Sequence, residues 1–171
     1  NMKVLNNRIL LLLFSLFLVS SVSSQEIRMT EMASLEQVYG EKQESPTALS
    51  MNDLGMDSGG YVLYEAEITS TTESGTLSIE NIRDYAAVYI DGHLKGGLTD
   101  EKKELSFQLS SGKHLLQIYV ENIGRITYGP EILDNSKGLF GTVYFNEEEI
   151  EGWNMIPLQI KDCEMAVLHF T

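Results

Sequence analysis

Cysteine is almost missing from this chain: Cys163 is the single one in 171 residues. No intrachain disulfide can form, and a Cys₄ zinc site is excluded. The lone thiol lies in a strand-like tail and reads as a small buried hydrophobe. Positive charge is also scarce, with 12 Lys and Arg against 25 Asp and Glu, a formal charge of −13. Such a surface repels phosphate backbones, so nucleic acid is excluded as a partner. His93, His114 and His169 are far apart and in no ligand spacing, which leaves no catalytic metal to expect. No Gly-rich phosphate loop stands between a strand and a helix, no G-x-S-x-G elbow occurs, and no cofactor is implied. There is no N-x-[ST] acceptor for glycosylation either.

Long apolar runs are lacking too. The longest, from Ile9 to Val19, is well short of the roughly 20 residues that span a bilayer. It follows Lys3 and Arg8 and precedes Ser20-Ser21-Val22-Ser23-Ser24. This is the three-part layout of a secretory signal, residues 1–24, with cleavage expected between Ser24 and Gln25 and no stable membrane anchor afterwards. The remainder is long enough for one domain with a sizeable core.

Residues 25–59 are polar and irregular, a lead-in with the turn signal Asn52-Asp53-Leu54-Gly55 and a short helix over 32–38. From residue 60 onward Val, Ile, Tyr and Leu recur with period two between turn residues. Strands are expected over 61–68, 76–80, 86–90, 93–98, 104–109, 114–121, 139–145, 155–160 and 165–170. Asp91-Gly92 suits a type I′ hairpin turn. The fold class is therefore all-β: a single antiparallel sandwich of eight or nine strands over 60–171.

Carboxylates abound, among them Asp84, Asp91, Glu121 and the run Glu147-Glu148-Glu149. A glycosidase needs two of them placed across one bond. Here Asp91 is explained by the hairpin turn and the Glu run by a solvated loop. More informative is Glu121-Asn122-Ile123-Gly124-Arg125-Ile126-Thr127-Tyr128-Gly129. It sets an arginine and a tyrosine on a glycine-bounded turn directly after a strand, where binding groups commonly sit. Guanidinium donors beside a flat ring suit a hydroxyl-rich ligand, while the plainer reading, and the favoured one for this stretch alone, pairs Arg125 with a nearby acid and packs Tyr128 on the core. Trp153 reads either as a sugar platform or as a plug at the bottom of the sandwich.

Five motifs in order carry a resemblance: Gly60-Tyr61-Val62-Leu63-Tyr64, Tyr85 to Gly92, Val120 to Gly129, Lys137-Gly138-Leu139-Phe140-Gly141, and Gly152-Trp153-Asn154-Met155-Ile156-Pro157-Leu158. Together they look like the jelly-roll, galactose-binding-like region of glycoside hydrolase family 35 β-galactosidases, from about residue 27 to 159. In that family the catalytic acid and nucleophile are glutamates of an N-terminal (β/α)₈ barrel. The resemblance implies relatedness to a β-galactosidase with no catalytic residue in this chain, which is too short for the ~250 residues of such a barrel. It also implies carbohydrate-contacting candidates. Tyr128 and Arg125 match the tyrosine and arginine of the family's G-R-[IV]-N-Y-G motif, and Tyr64 and Trp153 fall in the flanking motifs. Thr127 stands where the family has Asn, and Glu65 where an Arg commonly follows the Tyr64 position.

The expected function is a secreted or periplasmic, non-catalytic β-galactosidase-like module. It would be accessory to, or a fragment of, a carbohydrate-degrading enzyme, with a β-galactoside or a catalytic-barrel chain as partner. A free-standing weak galactoside-binding module and a structural or protein-interaction domain are the alternatives.

Overall fold

Alternation of buried and less buried residues along the long central strands generates two sheets with one shared core. The computed structural model describes residues 30–56, 60–124, 136–160 and 169. Residues 33–169 form one compact unit; 1–32 and 170–171 fall in another, of which only 30–32 are described. After a 3₁₀ turn at Leu35–Val38 come β1 (Gln43–Ser45), β2 (Gly60–Ser70), β3 (Ser74–Arg83), β4 (Tyr85–Ile90) and β5 (His93–Thr99). They are followed by β6 (Glu104–Gln108), β7 (Gly112–Asn122), β8 (Gly138–Phe145), β9 (Glu148–Glu149) and β10 (Trp153–Leu158). Six strands make one antiparallel sheet in the order β1-β10-β2-β7-β4-β5, and four make the other, β6-β3-β8-β9. This is the antiparallel jelly-roll sandwich expected from the period-two pattern.

β2 and β7 pair along their whole length, from Gly60 opposite Asn122 to Ser70 opposite Gly112. Their inward residues, Val62, Tyr64, Ala66 and Ile68 with Leu116, Ile118 and Val120, meet Leu77, Ile79, Leu139 and Val143 of the facing sheet in one cluster. Each Val, Leu or Ile among them contributes about 1.5–3 kcal/mol by leaving water. The lead-in belongs to this structure: β1 pairs with β10, and Met51 and Leu54 are buried in the core cluster. The sandwich therefore begins before residue 60. Only the last turn of the expected 32–38 helix forms, as the 3₁₀ turn, which buries none of its residues. The expected 165–170 strand and the signal segment lie outside the described residues, His169 apart.

Two differences in the strands have local causes. β3 runs on past Glu80 because its alternation breaks there: Glu80 and Asn81 are both exposed and Ile82 is buried. The register shifts at this point, with Ile79 opposite Val143 and Asn81 opposite Phe140. Gly141 takes φ 70° in the bulge, and the Glu80 carboxylate accepts the Thr142 amide at 3.0 Å. The second difference is β9. The Glu run is half a hairpin, with Glu148 opposite Phe145. Asn146 and Glu147 form its turn at φ 50° and 67°, and the Asn146 side chain accepts the Thr76 amide at 2.9 Å.

The Asp91-Gly92 turn has positive φ at both residues, 49° and 75°, as type I′ geometry requires. The Asp91 carboxylate accepts the Leu115 amide at 2.8 Å and faces His114 Nδ1 at 2.7 Å, while His114 Nε2 lies 2.8 Å from the Ser110 carbonyl. Both ring nitrogens thus meet acceptors, which favours the doubly protonated imidazolium. The hydrogen bond to Asp91 is the main reason the His114 pKa is raised, and the same bond holds the Asp91 carboxyl below its ordinary value.

Candidate functional site: the seat of the 122–138 connection

β7 ends at Asn122 in the six-stranded sheet and β8 begins at Gly138 in the four-stranded one. Arg125 and Tyr128 fall between them, outside the described residues. What is described is the seat on which this connection stands. Asp84, in the link from β3 to β4, holds both ends of it. Its Oδ2 accepts the Ile123 amide at 2.9 Å, and both carboxylate oxygens lie 2.7 Å from Lys137 Nζ. The backbone adds a third tie, from the Asp84 amide to the Glu121 carbonyl at 3.0 Å.

Lys137 is 4% exposed. A buried ammonium needs a paired anion to offset its lost hydration, and Asp84 supplies it. The Lys137 amide donates to Asn52 Oδ1 at 3.0 Å, and its carbonyl accepts the Met51 amide at 2.8 Å. The lead-in is thereby fastened beneath the returning strand. Gly138 follows at φ 100°, and a Cβ there would come within 2.7 Å of the Tyr64 hydroxyl and 2.8 Å of the Met51 amide. Only glycine permits this approach. Beside the seat lies a small cavity of about 230 Å³ lined by Asn81, Arg83, Ser136 and Phe140.

Tyr64 as a carbohydrate-contacting candidate and the platform reading of Trp153 need correction, and the plug reading of Trp153 stands. Tyr64 is fully buried; its hydroxyl donates to the Leu49 carbonyl at 2.8 Å, and burial drives its pKa up. Trp153 is 1% exposed, donates from Nε1 to the Ile150 carbonyl at 2.9 Å, and meets Tyr64 edge-on with centroids 6.5 Å apart. The alternation of β2 and β10 turns both rings inward, so neither offers a face to a ligand. They buttress the seat instead. Glu65 faces outward on β2 and accepts from Gln117 Nε2 at 2.8 Å across the strand pair. Glu121 accepts the Tyr61 hydroxyl at 2.7 Å in the same way. Tyr119 is on the outer face of a central strand, hydrogen-bonded to the Tyr39 hydroxyl at 2.7 Å and edge-on to Tyr89.

Sequence reasoning passed over Asp84, Lys137 and Asn52. Asp84 was one carboxylate among many, and its value comes from a fold that brings residues 84, 123 and 137 together. Its place directly before the Tyr85 to Gly92 motif was the one available signal.

Residues 48–159 match the family model described as "Beta-galactosidase, first all-beta domain". The chain belongs to that family. A beta-galactosidase of Xanthomonas manihotis is 33% identical over 117 residues, 67% of this chain and 19% of that protein. Human Beta-galactosidase-1-like protein 2 is 34% identical over 127 residues, 71% of this chain and 19% of the relative. Beta-galactosidase 17 of Arabidopsis thaliana is 32% identical over 127 residues, 67% of this chain and 18% of the relative. The chain thus spans about a fifth of the length of these curated relatives, and the part it spans is the all-beta domain. Within this β-galactosidase domain the Asp84 seat lies inside the matched segment, as do both ends of the connection it holds.

Among the described residues, no group of three or more His, Cys, Asp or Glu is placed to hold a metal ion. No helix among them is long and apolar enough to cross a membrane.

Proposed function

We propose that the chain acts as a non-catalytic jelly-roll module of a family 35 type β-galactosidase, which presents Arg125 and Tyr128 to a galactoside whose bond is cleaved by a catalytic barrel. The observation that carries this reading is the double anchorage of the 122–138 connection on one carboxylate, Asp84. A segment that presents ligand-contacting groups needs fixed ends, because positioning fails when the support is loose. A buried ion pair together with a charge-assisted bond to Ile123 supplies that support.

Arg125 would donate to sugar hydroxyls while Tyr128 covers an apolar sugar face. Thr127 has a hydroxyl where the family motif has an amide, so one donor-acceptor pair becomes a single rotor. The partners are accordingly a β-galactoside and a barrel. The basic start, apolar core and serine stretch of residues 2–24 support export, to the periplasm or outside the cell.

Hydrolysis of a chromogenic β-galactoside by the purified chain tests the non-catalytic role. No turnover above buffer is expected. Turnover that disappears with Glu121→Gln would overturn it, since the Glu121 carboxylate accepts only the Tyr61 hydroxyl among the described residues.

A further inference from the structure

The outer face of the four-stranded sheet carries a trough apart from the Asp84 seat. Its volume is about 630 Å³, and it is lined by Thr76, Ser78, Glu104, Tyr144, Asn146 and Glu147. That volume lies within the range of small-molecule sites. We propose that this trough is a second binding site, for a neutral oligosaccharide.

The trough follows from strand register. Ser78 of β3 stands opposite Glu104 of β6 on one side and opposite Tyr144 of β8 on the other. A short hydroxyl side chain is thus flanked by two tall ones across three strands, with about 10 Å between the outer strand axes. One pleat further along β3, Thr76 continues the floor, its hydroxyl 2.9 Å from that of Ser106. The β8–β9 turn residues Asn146 and Glu147 close that end. Leu77, Val143 and Phe145, which alternate with the floor and wall residues, are buried in the core, so the walls stand on a rigid base.

The chemistry of the lining selects the ligand. Tyr144 is 37% exposed, and its ring offers an apolar face to sugar C–H groups. Glu104 and Glu147 are exposed and enter no ion pair among the described residues. Carboxylates accept hydrogen bonds from hydroxyls and repel anions, which excludes uronates and phosphates. Asn146 spends its side-chain oxygen on Thr76, which leaves its NH₂ to donate to a sugar oxygen. An aromatic face, two anionic acceptors, an amide donor and small hydroxyls on one open trough match a chain of neutral sugar rings. The site is separate from the Asp84 seat: Tyr144 is six residues along β8 from Gly138, about 20 Å at strand rise. The inference therefore does not rest on the proposed role of Tyr128.

The test is a heteronuclear NMR titration of the ¹⁵N-labelled full chain with β-1,4-linked galactotriose, with polygalacturonate as the anionic control. Galactotriose is expected to shift the amides of Thr76, Ser78 and Tyr144, and polygalacturonate to leave them unmoved. Tyr144→Ala should weaken the response roughly tenfold. Tyr144→Phe keeps the ring and should retain most of it, while Glu104→Gln should weaken it; these two variants keep the test decisive if the alanine chain folds poorly. No shift at these amides, a shift that Tyr144→Ala leaves intact, or binding of polygalacturonate would overturn the proposal. Shifts confined to Ile123 and Gly124 would overturn it too, while leaving the proposed function standing.

Discussion

Asp84→Ala is the perturbation that most fully exercises the account of the seat. It deletes the only carboxylate within salt-bridge distance of Lys137 among the described residues, and the Lys137 side chain is 5% exposed against 27% for Asp84. Removing one partner of a buried pair typically costs about 3–5 kcal/mol, because the other charge is left uncompensated. Asp84 is itself partly hydrated, so the lower end, roughly 3 kcal/mol, applies. The Ile123 amide also loses its acceptor, but it is exposed and water replaces the bond. For a domain of this size the loss corresponds to a fall in melting temperature of roughly 12 °C. The reciprocal change, Lys137→Met, is milder, roughly 1 kcal/mol, since the carboxylate left behind keeps water and Ile123 as partners. Urea unfolding of the two single variants and the double variant gives the cycle. The double variant should be more stable than Asp84→Ala alone, since the orphaned ammonium is gone. A loss below about 1 kcal/mol for Asp84→Ala, or a double variant whose loss equals the sum of the singles, would refute the reasoning.

Tyr64→Phe should cost about 1 kcal/mol in the same assay, because the half-buried Leu49 carbonyl loses its donor. It should leave any response to sugar unchanged; a lost response would return Tyr64 to the ligand. The Asp91 and His114 pair has a defined pH window. The raised His114 pKa makes its contribution complete below the ordinary histidine value near 6.5 and lost as pH rises through the higher folded value. The lowered Asp91 pKa makes its share present above the ordinary value near 3.8 and lost as pH falls through the lower folded value. The stability difference between the natural chain and Asp91→Asn, which keeps the turn geometry, should therefore be largest between these limits and shrink toward alkaline pH. Melting curves at several pH values read this directly, and a difference that grows with pH would contradict it.

The sandwich was legible because burial on one face of a strand imposes period two, and β4 and β7 carry that mark strongly. Where it was not legible, the cause is specific. At Glu80 and Asn81 a bulge places two consecutive residues outside, and the pattern stops looking like a strand before the strand ends. β9 is two glutamates paired only to β8, so no apolar alternation announces it. Met51 and Leu54 lie in a stretch without period-two alternation, and only their burial in the core cluster shows that the lead-in belongs to the sandwich. Aromatics are ambiguous in the opposite direction: Tyr64 falls in a family motif and Trp153 reads as platform or plug, and strand parity turns both inward, which leaves Trp153 as the plug. For Asp84 the sequence offers only its place before the Tyr85 to Gly92 motif, because its role depends on partners 39 and 53 residues away.

The most direct test of the central claim is a titration of the ¹⁵N-labelled chain with millimolar lactose, followed in one tube for protein amides and for the sugar. Saturating shifts are expected at Ile123 and Gly124, with loss of those shifts in Tyr128→Ala at unchanged melting temperature, and lactose that stays intact. Amides that do not move, or lactose converted to galactose and glucose, would contradict it.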